Sequence, residues 1–157
     1  MKAEEYFFRY AYPCSDMLLK LGKLDKDSKE ILDKEFECNV IPTKLQLEEF
    51  FPSALIRMKN IAKKMNLDYW DIAVIKKYFR EEHNKYIDSN DGAYAKLPPS
   101  IKDICKVYIA EVIDVKDNIL VVKYDHKERS VINKFIPDIK KGDRVTIHFG
   151  FAVEKVE

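Results

Sequence analysis

The imidazole and thiol side chains of this sequence, those best suited to ligate a borderline metal, number six: His83, His126 and His148, and Cys14, Cys38 and Cys105. Their spacing decides what they can do. His83 lies in Arg80-Glu81-Glu82-His83-Asn84, a run that resembles a zinc-protease helix. That chemistry needs a second histidine four residues away on the same face, and Phe79 and Ile87 stand there instead, so His83 reads as part of a solvated helix face. His126, in Tyr124-Asp125-His126-Lys127-Glu128, reads as an exposed turn residue. His148 ends an alternating run, Arg144-Val145-Thr146-Ile147-His148-Phe149, in which Val145, Ile147 and Phe149 face the core and His148 faces outward, next to Gly150. A single imidazole is neither a metal site nor a catalyst without partners. The cysteines are far apart, odd in number and without a Cys-x-x-Cys pair. This predicts reduced thiols, with neither a disulfide framework nor a zinc knuckle.

Other chemistry is scarce. The sequence has no Gly-x-Ser-x-Gly elbow, P-loop or Gly-x-Gly-x-x-Gly, and its four glycines leave little bare backbone for a phosphate. We therefore read the chain as non-enzymatic. The 28 basic and 27 acidic residues give a net charge of +1, so no global field gathers nucleic acid or anionic lipid. Apolar runs fall short of the roughly 20 residues of a bilayer span. The acidic start, Glu4-Glu5, is unlike a signal peptide, which predicts a cytoplasmic protein with no membrane partner. The aromatic clusters Tyr6-Phe7-Phe8-Tyr10-Tyr12 and Tyr69-Trp70 fall at helical core positions rather than on a base-stacking platform.

The elements that must position these residues divide into two kinds. Residues 1–97 hold nine Val or Ile, whereas residues 105–157 hold sixteen, and β-branched side chains suit a pleated surface. The expected class is α+β, with an all-helical domain at 1–97, a Pro-containing linker at 98–103 and a small five-stranded OB-like β-barrel at 104–157. In the first part, a break at Pro13, an Asp27/Glu30 capping box, Thr43 as a cap, Pro52 at a first helical position and a helix from Asp68 (Tyr69, Ile72, Ile75, Tyr78, Phe79, Tyr86) predict about five helices. In the second, an antiparallel meander is expected: Lys106 to Val115, Ile119 to Tyr124, Glu128 to Phe135, a strand from Arg144, and Phe151 to Val156. Five short strands bury a core only by curling into a barrel.

The stretch Pro137-Asp138-Ile139-Lys140-Lys141-Gly142-Asp143-Arg144-Val145-Thr146-Ile147-His148-Phe149-Gly150-Phe151-Ala152-Val153 resembles the end of the small hydrogenase-maturation chaperones of the HypC/HupF type. Ile104-Cys105-Lys106-Val107 resembles their Met-Cys opening. The resemblance covers 104–157 only. It implies an accessory, chaperone-like protein that helps assemble a nickel-iron hydrogenase site, with iron held by Cys105 and His148. It also implies a partner, either a hydrogenase-maturation protein or the large-subunit precursor, met through Cys105, His148, Phe149 and Gly150. From its residues alone, Cys105 reads equally as a small buried hydrophobe in phase with Val107 and Ile109. The alternative is a nucleic-acid or ribosome-associated barrel that contacts phosphates through Lys134, Lys140, Lys141 and Arg144.

Overall fold

A computed structural model describes all of residues 1–157. The chain forms two compact units, Met1–Glu82 and His83–Glu157. The division falls earlier than the Leu97-Pro98-Pro99 step, so the intended linker belongs to the barrel unit. Residues Pro99–Cys105 are in fact a helix. Adjacent prolines ended the expected domain because proline breaks a helix interior, but Pro99 sits at the first helical position, where its missing N–H costs nothing.

The first unit is helical: α1 Ala3–Ala11, α2 Ser15–Lys20, α3 Lys26–Glu37, α4 Lys44–Phe50, α5 Pro52–Met65 and α6 Ile72–Lys77. Pro13 falls inside a 3₁₀ turn, Tyr12–Cys14, that separates α1 from α2. Asp25, rather than Asp27, caps α3 by accepting the Ser28 N–H at 2.8 Å. Thr43 and Gln46 form a capping box on α4. The helix expected from Asp68 begins later, because Asp68 is occupied in a tight turn that accepts the Trp70 N–H, and Asp71 takes the cap. Ile72 is consequently exposed, and the buried face runs through Val74, Ile75, Tyr78 and Phe79. A π-helical turn, Tyr78–Glu82, follows α6. Aromatic rings make this core: Phe7 meets Phe51, Trp70 and Phe79 at 5.3–5.7 Å, and Tyr10 stacks on Phe79 at 4.9 Å. The half-buried Glu48 of α4 accepts from Trp70 Nε1 at 2.8 Å and from Tyr69 Oη at 3.0 Å.

The second unit opens with α7 His83–Asp88, a 3₁₀ turn Gly92–Lys96, and α8 Pro99–Cys105. Then come β1 Val107–Lys116, β2 Ile119–Tyr124, β3 Lys127–Asn133, β4 Arg144–His148 and β5 Phe151–Val156. They close into a barrel of order β1-β2-β3-β5-β4, so the antiparallel meander is corrected at one seam. There β3 and β5 pair in parallel, Ile132 with Phe151 and Asn133 with Ala152. The cause is the segment 134–143, which carries the chain past the barrel end so that β4 reaches β1 and β5 fills the gap. Its tip needs a left-handed residue, Gly142 at φ +92°, whose N–H bonds Val112 O at 2.7 Å while Val112 N–H bonds Asp143 O. Ala110, Val112, Leu120, Val122, Val131, Val145, Ile147 and Ala152 form the interior.

Two measurements test these accounts. Gly142→Ala is expected to cost about 1–2 kcal/mol in chemical denaturation, because an L side chain is strained at that φ. Gly150→Ala, where φ is ordinary and a Cβ meets nothing within 4 Å, is expected to be near neutral. In the first unit, hydrogen bonds from Trp70 and then Tyr69 hold the Glu48 carboxyl below the ordinary glutamate range. A lowered folded value stabilises above that range and loses its effect as pH falls through the depressed value. The fluorescence of Trp70, the only tryptophan, should report this acid loosening, and Glu48→Gln should abolish that pH step.

Candidate metal centre

Three donors converge in the second unit. The Cys105 sulfur and ligand nitrogens of His83 and His148 lie within 4.8 Å of one another, and all three residues are buried. The His83 and His148 rings meet edge to face with centroids 5.0 Å apart. Each donor ends or begins an element: His83 is the first residue of α7, Cys105 the last of α8, and His148 the last of β4. Each is therefore placed by backbone geometry rather than by a long flexible side chain.

Specific bonds fix those elements. The Asn84 amide clasps the first residue of β1, its Nδ2 donating to Val107 O and its Oδ1 accepting the Val107 N–H, both at 2.8 Å. Val107 is the ladder partner of His148, so this clasp holds the start of α7 against the strand pair that carries His148. At the other end of α7, Asp88 pairs with Lys106 Nζ at 2.6 Å. Helix α8 is tied through Asp103, which accepts from Tyr108 Oη at 2.7 Å and from Lys127 Nζ at 3.0 Å. These bonds, the Tyr108 one first, lower the Asp103 carboxyl below its ordinary range. Ile104 O then accepts the Phe149 N–H at 3.2 Å, joining the residue before Cys105 to the residue after His148.

Within the centre, His83 Nδ1 is 3.4 Å from Asn84 Oδ1, and its Nε2 is 3.4 Å from Tyr94 Oη. Asn84 Oδ1 is an acceptor, so it favours the Nδ1–H tautomer and leaves the Nε2 lone pair for a ligand bond, with Tyr94 as its donor when no metal takes that place. Thiolate and imidazole are donors for zinc and for iron. Tetrahedral bonds of about 2.0–2.3 Å set donors about 3.3–3.8 Å apart, so small side-chain rotations bring these three onto one ion.

The two ligands expected from the sequence, Cys105 and His148, are thus brought together, but not at a solvated rim. Both are fully buried, and His148 points inward to α7 rather than outward to water. The alternation along β4 fails because Val145, Thr146, Ile147 and His148 are all buried: one side faces the barrel interior, and the other is covered as well. Phe149, expected in the core, leaves the strand at φ +49° and is half-buried. Of the partner-facing set, only Phe149 and Gly150 reach the surface. His126 sits exposed in the β2–β3 turn. Lys134, Lys140, Lys141 and Arg144 are exposed, but Arg144 donates to Glu157 O at 3.3 Å, and Asp143 among them pairs with Lys155 at 2.9 Å.

His83 corrects the solvated-face expectation, since it is 1% exposed. The signal was present: Phe79 and Ile87, the residues that ruled out a protease motif, stand one helical turn either side of His83 and are themselves buried, marking its face as apolar. No protein-family model matches the chain, and no curated protein matches it.

Asn84→Ala should remove both bonds to Val107, leave a part-buried peptide unpaired, and cost about 1–3 kcal/mol of barrel-unit stability. Asn84→Asp should restore only the bond from Val107 N–H, because a carboxylate has no donor for Val107 O. Denaturation of the two variants beside the parent chain checks this order.

Proposed function

We propose that the chain is a non-enzymatic, metal-binding accessory protein of the hydrogenase-maturation chaperone type, in which the barrel unit holds one resident metal through His83, Cys105 and His148. The observation that carries the reading is the convergence of three buried soft donors within 4.8 Å. Thiolate and imidazole are the donor types that share a zinc or iron ion, and here they lie together out of water.

Iron fits the donor set, as the family resemblance implies, and zinc fits it equally. The burial of Cys105 and His148 favours retention over surface hand-over, so a protein partner would be met by the exposed strand end around Phe149 and Gly150. The three cysteines, none of them in a disulfide, support a cytoplasmic setting. The nucleic-acid alternative draws on the exposure of Lys134, Lys140, Lys141 and Arg144 and is opposed by the near-zero net charge.

Metal analysis of the chain purified from native cells is expected to find close to one iron or zinc per chain. Cys105→Ala, His148→Ala and His83→Ala should each lower metal retention at least tenfold, with affinity in the parent falling as pH drops because the thiol and imidazoles reprotonate. Metal-free native protein that takes up neither ion, or variants that retain it fully, would overturn the reading. RNA binding that weakens steeply with salt would transfer support to the alternative.

A further inference from the structure

We infer that one end of the barrel is a binding site for a small carboxylate anion, held on the guanidinium of Arg129. The site draws only on residues of the second unit and is independent of the metal centre.

Strand register places it. Arg129 lies near the start of β3 as the ladder partner of Val122, and Tyr124 ends β2 as the partner of Lys127. Side chains alternate in direction along a strand, so Arg129 shares the face of buried Val131, and Tyr124 shares that of buried Val122 and Leu120. Tyr108, the second residue of β1, completes the row. Its ring centroid is 4.6 Å from that of Tyr124, and the Arg129 guanidinium carbon lies 5.0 Å from the Tyr124 centroid on the far side of the pair. Where β1 and β3 begin and β2 ends, two aromatic rings and one guanidinium are therefore gathered at one rim.

The guanidinium is the group that needs a ligand. All three of its nitrogens are buried, and none has a hydrogen-bond partner in the chain. Stacking on Tyr124 engages a flat face of the ion, whereas its N–H groups point outward in the plane and are not answered by that contact. Asp103, the acid whose field reaches Arg129, is already engaged: its Oδ1 accepts from Tyr108 Oη at 2.7 Å and its Oδ2 from Lys127 Nζ at 3.0 Å. Burial pulls the guanidinium below its ordinary range, opposed by Tyr124, Asp103 and Tyr108. A charge taken out of water without hydrogen bonds destabilises a fold strongly, so buried charges are paired.

Shape and size give the class of ligand. The planar fork of guanidinium donors matches the two oxygens of a carboxylate through parallel hydrogen bonds. Because the nitrogens are closed off from water, a protein segment or a bulky anion does not reach them. Lys127 lies on the same face of β3, two residues nearer the rim, and its pair with Asp103 is solvent-exposed, a kind of contact that opens easily. A small anion enters past it.

The test uses the full chain labelled with nitrogen-15 and titrated with sodium acetate or, at equal ionic strength, with sodium chloride or sodium phosphate. The Arg129 Nε–H resonance, assigned by its loss in Arg129→Lys, should move downfield and saturate with acetate and stay in place with chloride. Arg129→Lys keeps the charge but not the fork, and should raise at least tenfold the acetate concentration that gives half the rise in thermal unfolding midpoint. Arg129→Met removes the unpaired charge, and should unfold at or above the midpoint of the acetate-free parent and gain nothing from acetate. A resonance that moves with neither anion overturns the inference, and one that moves equally with both shows an adventitious ion only and overturns it too. A response confined to phosphate overturns the carboxylate assignment. A lowered midpoint in Arg129→Met beside an acetate-insensitive parent makes Arg129 a packing residue. If Arg129→Met does not fold, the acetate titration of the parent resonance decides.

Discussion

The barrel unit depends on one two-way hydrogen bond between a side-chain amide and a peptide. Asn84 presents a donor and an acceptor in one plane, and Val107, at the start of β1, offers the complementary pair. The amide thereby stands in for one residue of a neighbouring strand. A helix cannot extend a β-ladder by its own backbone, since its peptide groups are spent internally; a side-chain amide can. The choice of asparagine over glutamine or serine follows from reach and from the need for both functions. Once α7 is docked, the residue before Asn84 has no freedom left, and His83 is held against His148 on the next strand.

The same logic of borrowed strand positions explains why both faces of β4 are dry. In an ordinary small barrel the outer face meets water, and alternate residues are polar. Here α7 and α8 are secured to the barrel by Asn84, by the Asp88–Lys106 pair, by Asp103 and by the hydrogen bond from Phe149 N–H to Ile104 O. His148 and Thr146 consequently sit at outward positions without exposure. Thr146 is satisfied locally by the Glu154 N–H at 3.3 Å. His148 instead meets the His83 ring edge to face, with centroids 5.0 Å apart.

Much of the architecture was legible in the residues. The density of Val and Ile after residue 105, the turn signals and the alternation of Val145 with Ile147 point to a barrel, and Thr43 and Pro52 mark helix starts. The misreadings share a cause. His148 was placed outside and His83 in solvent because periodicity reports faces relative to one element, while burial depends on what that element meets. Neither Asn84 nor Asp103 carries a pattern that announces a long-range bond, because each contact joins residues brought together only by the fold. The 98–103 segment misled for another reason: proline stops a helix or starts one according to position, and only the structure fixes the position. Cys105 is buried, as the small-hydrophobe reading expects, and its sulfur lies near the nitrogens of His83 and His148.

The burial of these donors constrains what a metal would do for the chain. Burying a thiol and two imidazoles takes polar groups out of water, and their contacts include the 3.4 Å approach of Tyr94 Oη to His83 Nε2. An ion would be held by the thiolate of Cys105 and the imidazoles of His83 and His148, and only where the ends of α7, α8 and β4 are already assembled. Binding energy at such a site is stability of the assembled unit, because the unfolded chain holds these donors 22 and 43 residues apart along the sequence, from His83 to Cys105 and from Cys105 to His148. The longer closure runs from the end of α8 to the end of β4, so such a cross-link would tie the start of the barrel to its fourth strand. A metal bound at this buried place would therefore contribute to folding of the barrel unit rather than ride on its surface.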